Sequence, residues 1–170
     1  MAYIYLEHLP GCPAICDDES DEVLYDYQEC TCHKEITGKM NKENTLKLLK
    51  AFPHLYSGYT LSPRENLMCF GFECGDGWFD LIWRLSERLE SLGVVALQVK
   101  EKFGTLRFYA DGGEEAFTLI GEAEEESNRT CELCGQAGQL YCRSFWLKTL
   151  CTRCAKENGY EICVREETIY

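Results

Sequence analysis

A chain of 170 residues, 45% hydrophobic and 27% charged, is long enough to bury one full core, and no apolar run reaches the roughly eighteen residues of a membrane span. Its start, from Met1 to Glu7, lacks the basic and long apolar segments of a secretory signal, so the expected setting is cytoplasmic, where twelve cysteines point to metal ligands before disulfides. A net charge of −12 repels nucleic-acid backbones and favours a basic protein partner.

The charge is unevenly placed. Residues 1–40 carry nine acids against two bases, residues 114–130 six acids against one base, and the other stretches nearly cancel. The candidate partner-binding residues are therefore Asp17, Asp18, Glu19, Asp21 and Glu22 in the first segment and Glu122, Glu124, Glu125 and Glu126 in the second. Acidity that serves solubility alone is the plainer alternative.

Taken in order, residues 1–40 form an acidic arm with Cys12 and Cys16, then Cys30, Cys32 and His33. A segment so acidic and so poor in large aliphatic residues needs a staple to fold. Cys12, Cys16, Cys30 and Cys32 are candidate ligands for a second zinc, with free thiols or disulfides as the other outcomes. Residues 41–56 then open a helical pattern, capped by Asn41 or Asn44, with Leu46, Leu49 and Phe52 on one stripe and Pro53 as its stop. His54 at this junction reads as a packing or surface residue. A loop follows to Arg64.

The run Met68 to Glu73 alternates like a short strand, and Gly75-Asp76-Gly77 turns it into a helix with Asp76 as N-cap. Trp78, Ile82, Leu85, Leu89 and Leu92 step by four and three, which predicts an amphipathic helix closed by Gly93. Residues 94–110 predict a β-hairpin with Val95, Leu97 and Val99 on one side, Leu106 and Phe108 resuming after Lys100-Glu101-Lys102-Phe103-Gly104, and a Gly-containing turn between them. Glu114 to Asn128 predicts a second helix with Phe117, Ile120 and Ala123 inward. Its last turns carry Glu122, Glu124, Glu125 and Glu126, which oppose the helix dipole and should fray unless Arg129 or a partner neutralises them.

The strongest chemical signal comes next. Cys131-x-x-Cys134 and Cys151-x-x-Cys154 have four-thiolate zinc spacing, and Gly135 supplies the residue that tolerates positive φ in a metal knuckle. Between the pairs, residues 139–141 and 146–150 suggest a short hairpin, and residues 155–158 a short helix ended by Gly159. A second pair at a helix start favours a treble clef, and residues 160–170 can return as a strand. Arg143, Lys148, Arg153 and Lys156 form the local basic cluster, with Tyr141 and Trp146 available to stack bases, so a zinc-finger nucleic-acid binder is the first alternative.

Enzymatic chemistry is the second alternative. Cys74 precedes a helix start, where a thiol can be activated, and Asp76 with Glu73 and Asp80 could hold a divalent ion. A buried cysteine and a helix cap explain them more simply, and the chain reads as non-enzymatic. The fold class is α+β: an arm over 1–40, a helix-and-hairpin core over 41–130 and a treble-clef zinc unit over 131–170.

Three stretches together carry a resemblance: Phe70 to Ile82 (FGFECGDGWFDLI), Gln98 to Phe108 (QVKEKFGTLRF), and the Cys131–Cys154 knuckle. Residues 44–156 resemble a set of small bacterial and bacteriophage proteins of no assigned activity, whose second pair can end in a histidine where Cys154 stands here. The resemblance implies a phage or mobile-element setting, hence the host cytoplasm. With the acidity, it suggests inhibition of a host or defence protein through that protein's basic, nucleic-acid-binding surface.

Overall fold

Asn41 starts the first helix: its side-chain oxygen accepts the Asn44 N–H at 2.9 Å, and α1 runs over Lys42–Ala51, ending before Pro53. The structure, a computed structural model, describes residues 39–163. The arm residues Cys12, Cys16, Cys30, Cys32, His33, Asp17, Asp18, Glu19, Asp21 and Glu22 lie outside the described residues. Along α1 the buried positions are Leu48 and then Phe52, whereas Leu46 is 49% exposed. The phase of the stripe is set by what it packs on: Phe52 meets Trp83 edge-on at 5.0 Å between ring centroids.

Residues Leu67–Phe70 form a 3₁₀ turn, not the strand their alternation suggests. Asn66 causes this, accepting the Met68 N–H at 2.8 Å and donating to the Ala96 carbonyl at 3.0 Å. Only Phe72–Glu73 is extended (β1). Asp76 also departs from expectation. A 3₁₀ turn over Asp76–Trp78 leads into α2 (Phe79–Ser91), which has no side-chain cap. The Asp76 carboxylate instead accepts the Asn41 N–H and the Asn44 side-chain amide, both at 2.9 Å, so it anchors the start of α1.

Helix α2 buries Leu81, Ile82, Leu85 and Leu89, with Trp78 just before it, and Gly93 follows at φ +68° as the C-terminal stop. Leu92, already past the helix, is exposed. The Glu90 carboxylate accepts the N–H groups of His54 and Leu55, and the exposed His54 ring lies 3.1 Å from the Gly93 carbonyl, so His54 is a surface residue tied to the end of α2.

The hairpin is β2 (Val95–Lys102) and β3 (Thr105–Asp111), with Phe103 and Gly104 both at positive φ in its two-residue turn. A bulge between Ala96 and Gln98 shifts the register there. Ala96 and Val99 are buried while Leu97 points out, because one inserted residue flips every side chain beyond it to the other face. Strand β1 pairs parallel to β2, giving the order β1-β2-β3. Helix α3 (Glu114–Ser127) turns Ala116, Leu119, Ile120 and Ala123 inward and leaves Phe117 54% exposed, one position off the expected stripe. It packs on α2 and along β3, where the Ser127 hydroxyl accepts the Leu106 N–H and the Glu124 carboxylate accepts the Phe108 N–H.

A second sheet follows, ordered β5-β4-β6, from β4 (Gln139–Arg143), β5 (Trp146–Leu150) and β6 (Glu161–Ile162), with the short α4 (Thr152–Glu157) between β5 and β6. Its small apolar cluster of Cys131, Tyr141, Leu150, Cys154, Ala155 and Tyr160 is distinct from the main core, yet both belong to one compact unit, Thr37–Tyr170. Met40 belongs with the core, buried and donating its N–H to the Phe72 carbonyl. The class is α+β, and no described helix is long and apolar enough to cross a membrane.

Gly121 lies inside α3 with open space around its Cβ position. Gly121→Ala therefore raises the unfolding free energy by about 1 kcal/mol, measured by chemical denaturation, because the chain loses helix-opposing freedom without a clash.

Candidate metal centre

Each cysteine of the group is placed by local backbone chemistry. The first pair follows α3 in a tight turn: the Gly135 N–H returns to the Cys131 carbonyl at 2.9 Å, and Gly135 takes φ +72°. The second pair is delivered by β5. Cys151 is the N-cap of α4, and its sulfur accepts the Cys154 N–H at 3.4 Å. Hydrogen bonding to that amide draws the Cys151 thiol down to about 7. Burial pushes Cys131 and Cys154 up, so deprotonating them calls for a cation beside them.

The four sulfurs lie within 4.8 Å of one another, and those of Cys134 and Cys151 are 3.6 Å apart. A disulfide needs about 2.05 Å. Four sulfurs held tetrahedrally at about 2.3 Å from one ion stand about 3.8 Å apart. The donor set and its spacing fit a tetrahedral thiolate metal site. Among the described residues this is the one group of three or more His, Cys, Asp or Glu side chains at ligating distance. Cys142 and Cys163 stand outside it.

The centre is fastened to the core by a buried carboxylate that sequence reasoning missed. Glu132, between the first two cysteines, is 0% exposed. Its carboxylate accepts the Gly75 N–H at 3.1 Å and the Lys148 ammonium at 2.5 Å, and its carbonyl accepts the Gly77 N–H at 2.8 Å. Lys148 also faces Glu101 at 3.7 Å. The two glycines are required by this approach: a Cβ on Gly77 would sit 2.2 Å from the Cys131 carbonyl oxygen, and one on Gly75 2.4 Å from that of Glu132. Trp78 adds a bond from its ring N–H to the Thr130 carbonyl, and Thr149 reaches from β5 to the Gly104 carbonyl.

This docking decides the fate of the other candidates. Cys74 is buried, and burial, reinforced by the negative charge of Glu132, pushes its thiol well up, the opposite of an activated nucleophile. Asp76 is occupied by α1, and Glu73 bonds the Gln98 side chain at 3.1 Å. Of the basic cluster, Lys148 is sequestered between Glu132 and Glu101, and Arg143 binds the Asn158 carbonyl and lies over the Tyr160 ring. Arg153 and Lys156 remain exposed. Tyr141 is buried and unavailable for stacking, whereas Trp146 is 67% exposed and Phe145, beside it in the β4–β5 turn, fully so.

The acidic end of α3 is neutralised from within. Glu122 pairs with Arg88 at 3.2 Å, Glu124 with Arg107 at 3.6 Å, Glu125 with Arg129 at 3.7 Å and Glu126 with Arg84 at 2.5 Å. Each such pair contributes less than about 1 kcal/mol at the surface, but together they match the four charges that oppose the helix dipole. Arg129 was the one local partner legible in sequence; the other three arrive from α2 and β3.

No protein-family model matches the chain, and neither does any curated protein or solved structure.

Two outcomes follow. Native mass spectrometry finds one divalent metal at the C-terminal group; Cys131→Ser or Cys154→Ser abolishes it, while Cys142→Ser leaves the metal count unchanged. Lys148→Met leaves the Glu132 carboxylate buried without its cation and lowers the unfolding free energy by about 3 kcal/mol in denaturant titration.

Proposed function

We propose that the chain is a non-enzymatic, zinc-stapled protein-interaction module whose acidic surface engages a basic protein. In this reading Cys131, Cys134, Cys151 and Cys154 hold Zn²⁺ in a treble-clef unit, and Cys12, Cys16, Cys30 and Cys32 offer a second site. The observation that carries it is the closed four-thiol group, which leaves no ligand position for a substrate and serves to hold shape. The order of knuckle, hairpin and second pair at a helix start supports the treble clef. The structural engagement of Cys74 and Asp76 supports a role other than catalysis.

Charge points to the partner. Residues 39–163 hold eighteen acids against fifteen bases, so −3 of the −12 falls there and −8 falls on residues 1–38. With the α3 carboxylates matched by arginines, the run Asp17, Asp18, Glu19, Asp21 and Glu22 is the stronger lure for a basic surface, with Glu122, Glu124, Glu125 and Glu126 contributing second. A basic surface of this kind ordinarily holds nucleic acid, and a phage or mobile-element protein that occupies it would inhibit a host or defence factor. The exposed Phe145 and Trp146 favour the second reading, stacking on a single strand.

The test is capture from host lysate by the immobilised full chain at low and moderate salt. A basic protein is recovered at low salt and released at moderate salt, and neutralising the arm (Asp17→Asn, Asp18→Asn, Glu19→Gln, Asp21→Asn, Glu22→Gln) weakens capture about tenfold. Recovery of no salt-sensitive protein, or undiminished capture by the neutralised arm, removes the reading. Quenching of tryptophan fluorescence by an oligothymidine strand would favour the second.

A further inference from the structure

The four sulfurs of the metal centre differ in their access to solvent. Cys131 is 0% exposed and Cys154 6%, both set in the small apolar cluster with Tyr141, Leu150 and Tyr160. Cys134 and Cys151 only pack against that cluster, and both are partly exposed. These two line one open groove of about 590 Å³, whose walls include neither Cys131 nor Cys154. Their sulfurs also touch, at 3.6 Å. A disulfide needs about 2.05 Å, so a small closure, with no exchange of neighbours, separates this contact from a covalent bond. The two residues come from opposite halves of the centre, Cys134 from the first turn and Cys151 from the N-cap of α4.

We propose that Cys134 and Cys151 are the oxidant-reactive pair of the centre: hydrogen peroxide entering the groove joins them as a disulfide, and the metal is released. The release rests on the zinc reading above; the choice of residues rests on the groove and the sulfur contact. One of the two thiolates attacks a peroxide oxygen, the O–O bond breaks, hydroxide leaves and a sulfenic acid forms. The other thiolate attacks that sulfur, the S–O bond breaks and a second hydroxide leaves. Two thiolates and one peroxide give one disulfide and two hydroxides, with two electrons passing from sulfur to oxygen. The thiolate is the metal ligand, so only Cys131 and Cys154 remain as donors and the ion departs. The new bond spans the same two elements that the ion bridged, the first turn and the start of α4. Glu132 meanwhile keeps its contacts with Gly75, Gly77 and Lys148, none of which uses a cysteine side chain. Metal is thus lost without loss of the fold.

The experiment uses the full-length, zinc-loaded chain with Cys12, Cys16, Cys30 and Cys32 changed to serine, exposed to hydrogen peroxide beside a chromogenic zinc chelator. Zinc release accelerates about tenfold or more over the untreated chain, one ion per disulfide, and near-UV circular dichroism is retained. Peptide mapping finds the tryptic peptides 130–143 and 149–153 joined, and fragmentation places the bond between Cys134 and Cys151. Dithiothreitol with added zinc restores the starting state. Cys142→Ser and Cys163→Ser leave both the release and the cross-link unchanged. A first cross-link through Cys131, Cys142 or Cys154 overturns the proposal, as does a Cys134–Cys151 bond that leaves zinc in place, oxidation that abolishes the near-UV signal, or a zinc-loaded chain inert to peroxide; the zinc reading survives each of these. A chain that loads no zinc, yet still joins Cys134 to Cys151, overturns the zinc reading and leaves the reactive pair standing.

Discussion

The structure depends on one point of contact: the backbone of Gly75 and Gly77 lying against the backbone and carboxylate of Glu132. The main core and the four-thiol unit each have their own apolar cluster. Short-range polar contacts join them. A carboxylate removed from water needs every lone pair answered, and this one receives an amide on one oxygen and an ammonium on the other. The cysteines that flank Glu132 and the two glycines opposite it thus form one device. Trp78, just before α2, ties that helix to the knuckle, its ring N–H bonding the carbonyl of the residue just before Cys131.

That device explains why three stretches of sequence stand out together. The FECGDGW run supplies the glycines and the buried Cys74; the KEKFGT run supplies Glu101 and the Gly104 carbonyl; the knuckle supplies Glu132. Their distinctive residues answer to mutual packing. Glycine is needed where backbones touch, cysteine where a small apolar group fits beneath a carboxylate, and lysine where two carboxylates converge.

What could be read from sequence and what could not divide along physical lines. The cysteine pairs, Gly135, the α2 stripe, Gly93 and the glycine-containing hairpin turn were all legible, because each is encoded within a few residues. The failures are matters of phase and of distance. Leu46, Leu97 and Phe117 are plausible core residues by spacing, yet the packing of α1 on α2, a bulge after Ala96 and the packing of α3 on α2 and β3 put Leu48, Ala96 and Ala116 inside. Asp76 is a capping residue, but the helix start it anchors lies 35 positions away at Asn41. Lys148 reads as part of a basic cluster, and nothing local marks Glu132 for burial. Their burial follows from tertiary contacts with residues 75 and 101, which no local window contains.

The hydrogen bonds from Leu106 to Ser127 and from Phe108 to Glu124 have a wider effect. A strand at the margin of a sheet normally presents a row of idle donors to any other extended chain. Here the neighbouring helix lends its own side chains to those donors, so β3 offers a passing strand little to zip onto. Growth of the first sheet by strand addition is closed on that side, and with it one common route to both fibrillar aggregation and β-augmented recruitment.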